Sequence, residues 1–86
     1  MTRLQYIRLR CGISASELGK YAGLSQQHIS RMELLDIPAT PRHETALRRA
    51  LLRLIDRRIR ELFRLRFYCK THDGCLLEHM EENEHE

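Results

Sequence analysis

Ala15-Ser16-Glu17-Leu18-Gly19-Lys20-Tyr21-Ala22-Gly23-Leu24-Ser25-Gln26-Gln27-His28-Ile29-Ser30-Arg31-Met32-Glu33 holds two short helical patterns separated by a single glycine. Ser14 followed by Glu17 has capping-box spacing, so a helix opens there, with Leu18 and Ala22 one turn apart on the same face. Gly23 breaks it. Ser25 is then an N-cap for the next helix, in which Ile29 and Met32 point inward while Gln26, Gln27, His28, Ser30 and Arg31 face outward. Gly19 permits close approach of the second of these helices, and Gly23 permits a backbone angle costly for other residues. Branched Ile29 fills the space between the crossed helices. Two short helices around a tight turn result.

On the N-terminal side, Thr2 and Gln5 repeat the capping-box spacing, and Leu4 and Ile7 share a face, which predicts a helix from Arg3 to Arg10 ended by Gly12. On the C-terminal side the pattern fails from Leu34 to Thr40, where Pro38 and Pro41 argue for an irregular connection. Thr40 as N-cap with Pro41 in the first turn starts a fourth helix that continues to about Phe67. At 100° per residue Leu47, Leu51, Leu54, Ile55, Ile59, Leu62 and Leu65 fall in one apolar sector, and Arg49, Arg53, Arg57, Arg60 and Arg64 form a stripe elsewhere. Arg58 intrudes on the apolar sector. The stripe reads as a solvated face supported by Asp56 with Arg60 and Arg57 with Glu61 at i, i+4.

Composition agrees with an all-α chain: 86 residues, 42% of them hydrophobic, with four glycines and two prolines. This length makes one domain with a modest core. No apolar run is long enough to cross a bilayer and the first residues lack a secretory pattern, so the expected location is the cytoplasm, with no membrane partner. Cys11, Cys69 and Cys75 are an odd set that suits reduced thiols. The net charge of +3 conceals an asymmetry, because residues 1–72 hold all 15 Lys and Arg but only six of the 12 acids, a net +9, whereas residues 73–86 carry −6. A basic body attracts a polyanion, and nucleic acid is the commonest one.

Gly12-Ile13-Ser14, Glu17-Leu18-Gly19, Gly23-Leu24-Ser25 and Ile29-Ser30-Arg31-Met32-Glu33 together resemble the phage-repressor (Cro-like, XRE) helix-turn-helix family, over roughly residues 3–55. The resemblance implies a DNA-binding transcriptional regulator, a repressor, with Gln26, Gln27, Ser30 and His28 facing bases in the major groove. It also implies a structural ion pair between Arg8 and Glu33. Chemistry supports the glutamines independently, since one amide both donates to and accepts from adenine. The amino end of this helix, capped by Ser25, presents free N–H groups to phosphate, and Arg31, Lys20 and Arg42 neutralise further phosphates.

Two positions depart from the family. Ala15 replaces a glutamine that in many members contacts phosphate, and Leu34-Leu35-Asp36 replaces a polar, glycine-containing segment. An alternative therefore stays open, a degenerate helix-turn-helix serving as a protein-protein interaction module through Leu34, Leu35 and Ile37.

The expected organisation is a helix-turn-helix domain over residues 1–55, a helical extension over 56–77 and a disordered acidic tail over 78–86. A helix from Pro41 to Phe67 spans roughly 40 Å, beyond what so small a domain covers. Ile55, Ile59, Leu62, Phe63 and Phe67 are accordingly expected to form a homodimer, as two-fold proteins match palindromic half-sites. The competing expectation is a hairpin turned at Asp73-Gly74, with Leu76, Leu77 and Met80 covering Ile59, Leu62 and Phe63. The acids of the tail could compete with phosphate for the basic body.

Cys69, His72, Cys75 and His79 supply four potential ligands of two types for zinc, in a spacing that matches no zinc finger; the primary expectation is no metal and no cofactor. An enzyme is not indicated: there is no phosphate loop, nucleophile elbow or convergent carboxylate pair, and no small-molecule substrate is expected.

Overall fold

The computed structural model describes residues 1–71 together with Leu76 and Leu77. These form four helices in the order α1 (Arg3–Arg10), α2 (Ala15–Ala22), α3 (Gln26–Glu33) and α4 (Pro41–Thr71). The architecture is all-α, and among the described residues there is no strand and no helix long and apolar enough to cross a membrane.

The helix starts follow the serine and threonine caps. Thr2, Ser14 and Ser25 each hold an extended backbone while the side-chain oxygen accepts an N–H three residues on, from Gln5, Glu17 and His28 at 3.0–3.1 Å. Thr40 does the same for His43 at 3.2 Å at the head of α4. α2 ends at Gly23, whose left-handed backbone (φ 72°) returns its N–H to the Gly19 carbonyl.

The core lies where α2, α3 and the first half of α4 meet. Leu18 and Ile29 are fully enclosed, and Ile13, Ala15, Met32, Leu47, Ala50 and Leu54 complete the cluster. Leu4 of α1, Leu24, Ile37, Leu51 and Ile55 pack around it half-buried. Gly19 sits at the α2–α3 crossing, where a Cβ would meet the Leu24 carbonyl oxygen and lie 3.5 Å from Ile29 Cδ1. The expected close approach is thus made against the turn as well as against α3.

Past Ile55 the apolar core ends but the helix does not. α4 runs to Thr71, four residues beyond the expected end at Phe67, since nothing from Phe67 to Thr71 is a helix breaker. Ile59, Leu62, Phe63, Leu65 and Phe67 are all 58–67% exposed, and Leu76 and Leu77 are more exposed still. The hairpin in which those two leucines cover Ile59, Leu62 and Phe63 is therefore not formed by them; Asp73, Gly74 and Met80 lie outside the described residues. So do His72, Cys75 and His79 of the conceivable zinc set, of which Cys69 alone is described, exposed and free, and so do residues 78–86 of the acidic tail.

Candidate nucleic-acid interface

α3 has one buried and one open side. Ile29, Met32 and Glu33 are turned into the protein, whereas Gln26, Gln27 and Arg31 are exposed and His28 and Ser30 are half-exposed. The Ser25 cap fixes the first turn by taking the His28 N–H at 3.0 Å, which leaves the N–H groups of Gln26 and Gln27 at an open helix start. Lys20 on α2 and Arg42 in the first turn of α4 are exposed as well.

His28 has a neighbour that periodicity does not indicate. Its ring meets His43 of α4 edge to face, with centroids 4.9 Å apart and planes at 76°. His43 is itself anchored, because its backbone N–H donates to Thr40 Oγ1 and its Nδ1 faces the Thr40 N–H at 3.5 Å. The first turn of α4 thus stands beside the start of α3.

The orientation of α3 is locked from behind. Arg8 Nε and Nη2 donate to the two carboxylate oxygens of Glu33, both at 2.8 Å, and Arg8 Nη1 donates to the Ile13 carbonyl at 3.0 Å. This two-pronged geometry joins α1 to the end of α3 and to the loop that enters α2. Glu33 is the buried charged residue of the described chain, at 6% exposure. The hydrogen bond to Glu33 holds the Arg8 guanidinium above its ordinary pKa against the opposing effect of burial, so the arginine keeps its charge. No buried side-chain polar atom among the described residues lacks a partner.

The two departures from the family have structural consequences. Ala15 is buried at 7% exposure and belongs to the core. Leu35 stands in the left-handed region (φ 63°), closing α3 with bonds from its own N–H to Met32 and from the Asp36 N–H to Arg31. That conformation suits glycine, so the leucine is strained, and its side chain is 78% exposed beside Leu34 at 67%. Ile37 instead packs half-buried against the core.

The arginine stripe is exposed along its length, as a solvated face should be, and two of its members also reach α2. Arg57 Nη1 donates to the Tyr21 hydroxyl at 3.0 Å, and the Arg53 guanidinium lies 5.7 Å from the centre of the Tyr21 ring. Arg58, placed among apolar residues, reaches the Gly12 carbonyl at 3.0 Å and Glu17 at 3.1 Å. These arginines tie α4 to α2. The Arg57–Glu61 pair is present at 3.3 Å, but no Asp56–Arg60 pair is found among the described residues. Arg58 breaking the apolar pattern was the signal for this latch.

Compared with known proteins, residues 4–43 match the model of the family described as Helix-turn-helix. No curated protein and no solved structure matches the chain. The match covers α1, α2, α3 and the first residues of α4 and stops before the exposed extension.

Proposed function

We propose that the chain, whose residues 4–43 match the Helix-turn-helix family model, is a DNA-binding regulator of the Cro-like (XRE) family, a sequence-specific repressor reading the major groove with α3. The observation that carries this reading is the two-sidedness of α3: Gln26 and Gln27 project from an open first turn while the opposite side is sealed by fully buried Ile29. In this reading Gln26, Gln27, His28 and Ser30 approach base edges. Ser25, Arg31, Lys20 and Arg42 approach phosphates and set the register without specifying sequence. Buried Ala15 offers phosphate no polar group, so one copy has one anchor fewer than many family members. A homodimer through Ile55, Ile59, Leu62, Phe63 and Phe67 supplies the missing affinity by engaging two half-sites.

Selection of bound sequences from random DNA tests this. A palindromic motif is expected, with affinity falling steeply as salt rises. Gln27→Ala should relax one base preference in each half-site more than it weakens nonspecific binding. Recovery of no motif overturns the reading.

A second reading is favoured by one observation, the adjacent exposed Leu34 and Leu35 at the end of α3. An interaction module using that apolar pair would show neither a DNA motif nor a steep salt dependence.

A further inference from the structure

The exposed face of α4 has a finer pattern than a broad apolar sector. Leu52, Ile55, Ile59, Leu62, Arg66 and Cys69 follow one another at intervals of three, four, three, four and three residues, the spacing of a two-helix seam. Leu52, Ile59 and Arg66 take one set of alternating seam positions; Ile55, Leu62 and Cys69 take the other. The seam spans about 25 Å of helix. Leu52, Ile59 and Leu62 are 56–63% exposed, and Phe63, flanking the seam, is 67% exposed. At its N-terminal end the same face runs into an apolar cleft of about 720 Å³ between α1 and α4, bordered by Leu51 and Arg48. Seam and cleft lie on one side of α4, where Leu51 and Ile55 are half-covered by the head and Leu52, Ile59 and Leu62 are uncovered, with the repeat that suits a second helix of the same sequence.

Charge decides how that second helix lies. If two copies ran parallel, the two Arg66 side chains would face each other at a seam position, with like charges opposed. If they run antiparallel, each Arg66 faces the other copy's Ile55 and lies beside its Asp56. Leu52 then meets Cys69, and Ile59 meets Leu62, so every apolar seam position is covered. Asp56 makes no ion pair within the described chain and is exposed, so it is available for this contact.

Distance favours the same arrangement. Leu47, where α4 crosses the core of the head, lies about 20 Å along the helix from the seam midpoint. Two antiparallel copies therefore hold their heads roughly 40 Å apart, close to the 34–36 Å between successive major-groove faces. Parallel copies would set the heads side by side.

We infer that a second copy of this chain docks antiparallel along Leu52–Cys69 of α4, with Arg66 of each copy set against Asp56 of the other. The inference rests on the dimer of the proposed function and specifies its geometry.

Two measurements test it. Sedimentation across the micromolar range comes first: a dimer is expected, and a monomer overturns both the dimer and its geometry. Disulfide mapping then reads orientation in chains carrying Cys11→Ser and Cys75→Ser. A copy with Leu52→Cys and Cys69→Ser is mixed with a copy keeping Leu52 and Cys69, and the mixture is oxidised. Disulfides between unlike copies are expected. Disulfides between like copies would mean parallel pairing and overturn the geometry while leaving the dimer intact.

Charge exchange provides a second readout in chains with all native cysteines. Asp56→Arg and Arg66→Asp should each weaken self-association about twofold to fivefold, and together in one chain should restore it. Asp56 and Arg66 are ten residues apart on one helix, too far to compensate within a copy. Two losses that simply add would overturn the inference.

Discussion

The two halves of α4 are made of the same residue types and behave oppositely. From Pro41 to Ile55 the helix gives Leu47, Ala50 and Leu54 to a sealed core, and Leu51 and Ile55 pack against its edge. From Ile59 to Phe67 it carries as many large apolar side chains, each more than half exposed. Helix formation asks only for good helix formers and no breaker, and both halves meet that condition. Burial asks for a second surface. The head supplies one to the first half through α2 and α3, and the chain supplies none to the second among its described residues. Amphipathicity therefore marks a face that needs covering without saying which molecule covers it.

The largest effect that would sharpen this contrast is expected at the head's buried ion pair. Arg8→Ala leaves Glu33 enclosed with a charge and two unmet acceptors, and should cost about 3–5 kcal/mol in denaturant unfolding. The Glu44–Arg48 pair on α4 is similar in chemistry but about 70% exposed on both sides, and Glu44→Ala should change stability by less than about 0.5 kcal/mol. Equal losses at the two sites would mean that burial does not separate the head from the exposed helix surface.

A smaller loss is expected at the α2–α3 crossing. Gly19→Ala puts a methyl against the Leu24 carbonyl, a backbone atom that yields only if the turn moves, and should cost about 1–3 kcal/mol. Because Leu24 immediately precedes the Ser25 cap, the same substitution should shift the amide signals of Gln26 and Gln27. An unchanged spectrum would show that the turn absorbs the methyl without moving α3.

Much of the head was legible because its signals are local. Ser14, Gly23 and Ser25 act within a turn of themselves, so the bounds of α2 and α3 and the inward side of α3 follow from the residue order alone. The contacts that could not be anticipated join residues far apart in the chain. Arg58 with Gly12, Arg57 with Tyr21 and His28 with His43 depend on how α4 crosses the head, which no periodicity encodes. Ile13 was missed as a core residue because a lone apolar side chain in a loop has no pattern to belong to. Leu35 was legible as a departure in residue type, but its left-handed backbone was not, since leucine is a poor indicator of that conformation.

That leucine predicts a gain. Leu35→Gly relieves a backbone strain of about 1–2 kcal/mol, while its side chain, 78% exposed, loses little packing. Against this stands the greater freedom glycine has in the unfolded chain, so a net stabilisation of roughly 0.5–1 kcal/mol is expected in thermal or denaturant unfolding. A loss would mean that Leu35 makes an apolar contact worth more than the strain, on the rim of the cleft that it helps to line.

The smallest effect is expected where the helix is uncovered, and one substitution made twice isolates it. Ile29→Ala empties a fully enclosed position and should cost about 2–5 kcal/mol. Ile59→Ala removes the same atoms from a side chain already 58% exposed, and at a protein concentration low enough to keep the chain monomeric it should change stability by less than about 0.5 kcal/mol. The concentration matters to the argument, since in a dimer Ile59 is a seam residue and its loss would appear in the association step. Unfolding followed by circular dichroism at two protein concentrations separates the steps. A cost of several kcal/mol for Ile59→Ala in the monomer would mean that the C-terminal half of α4 is covered by its own chain, and the contrast between the two halves would then fail.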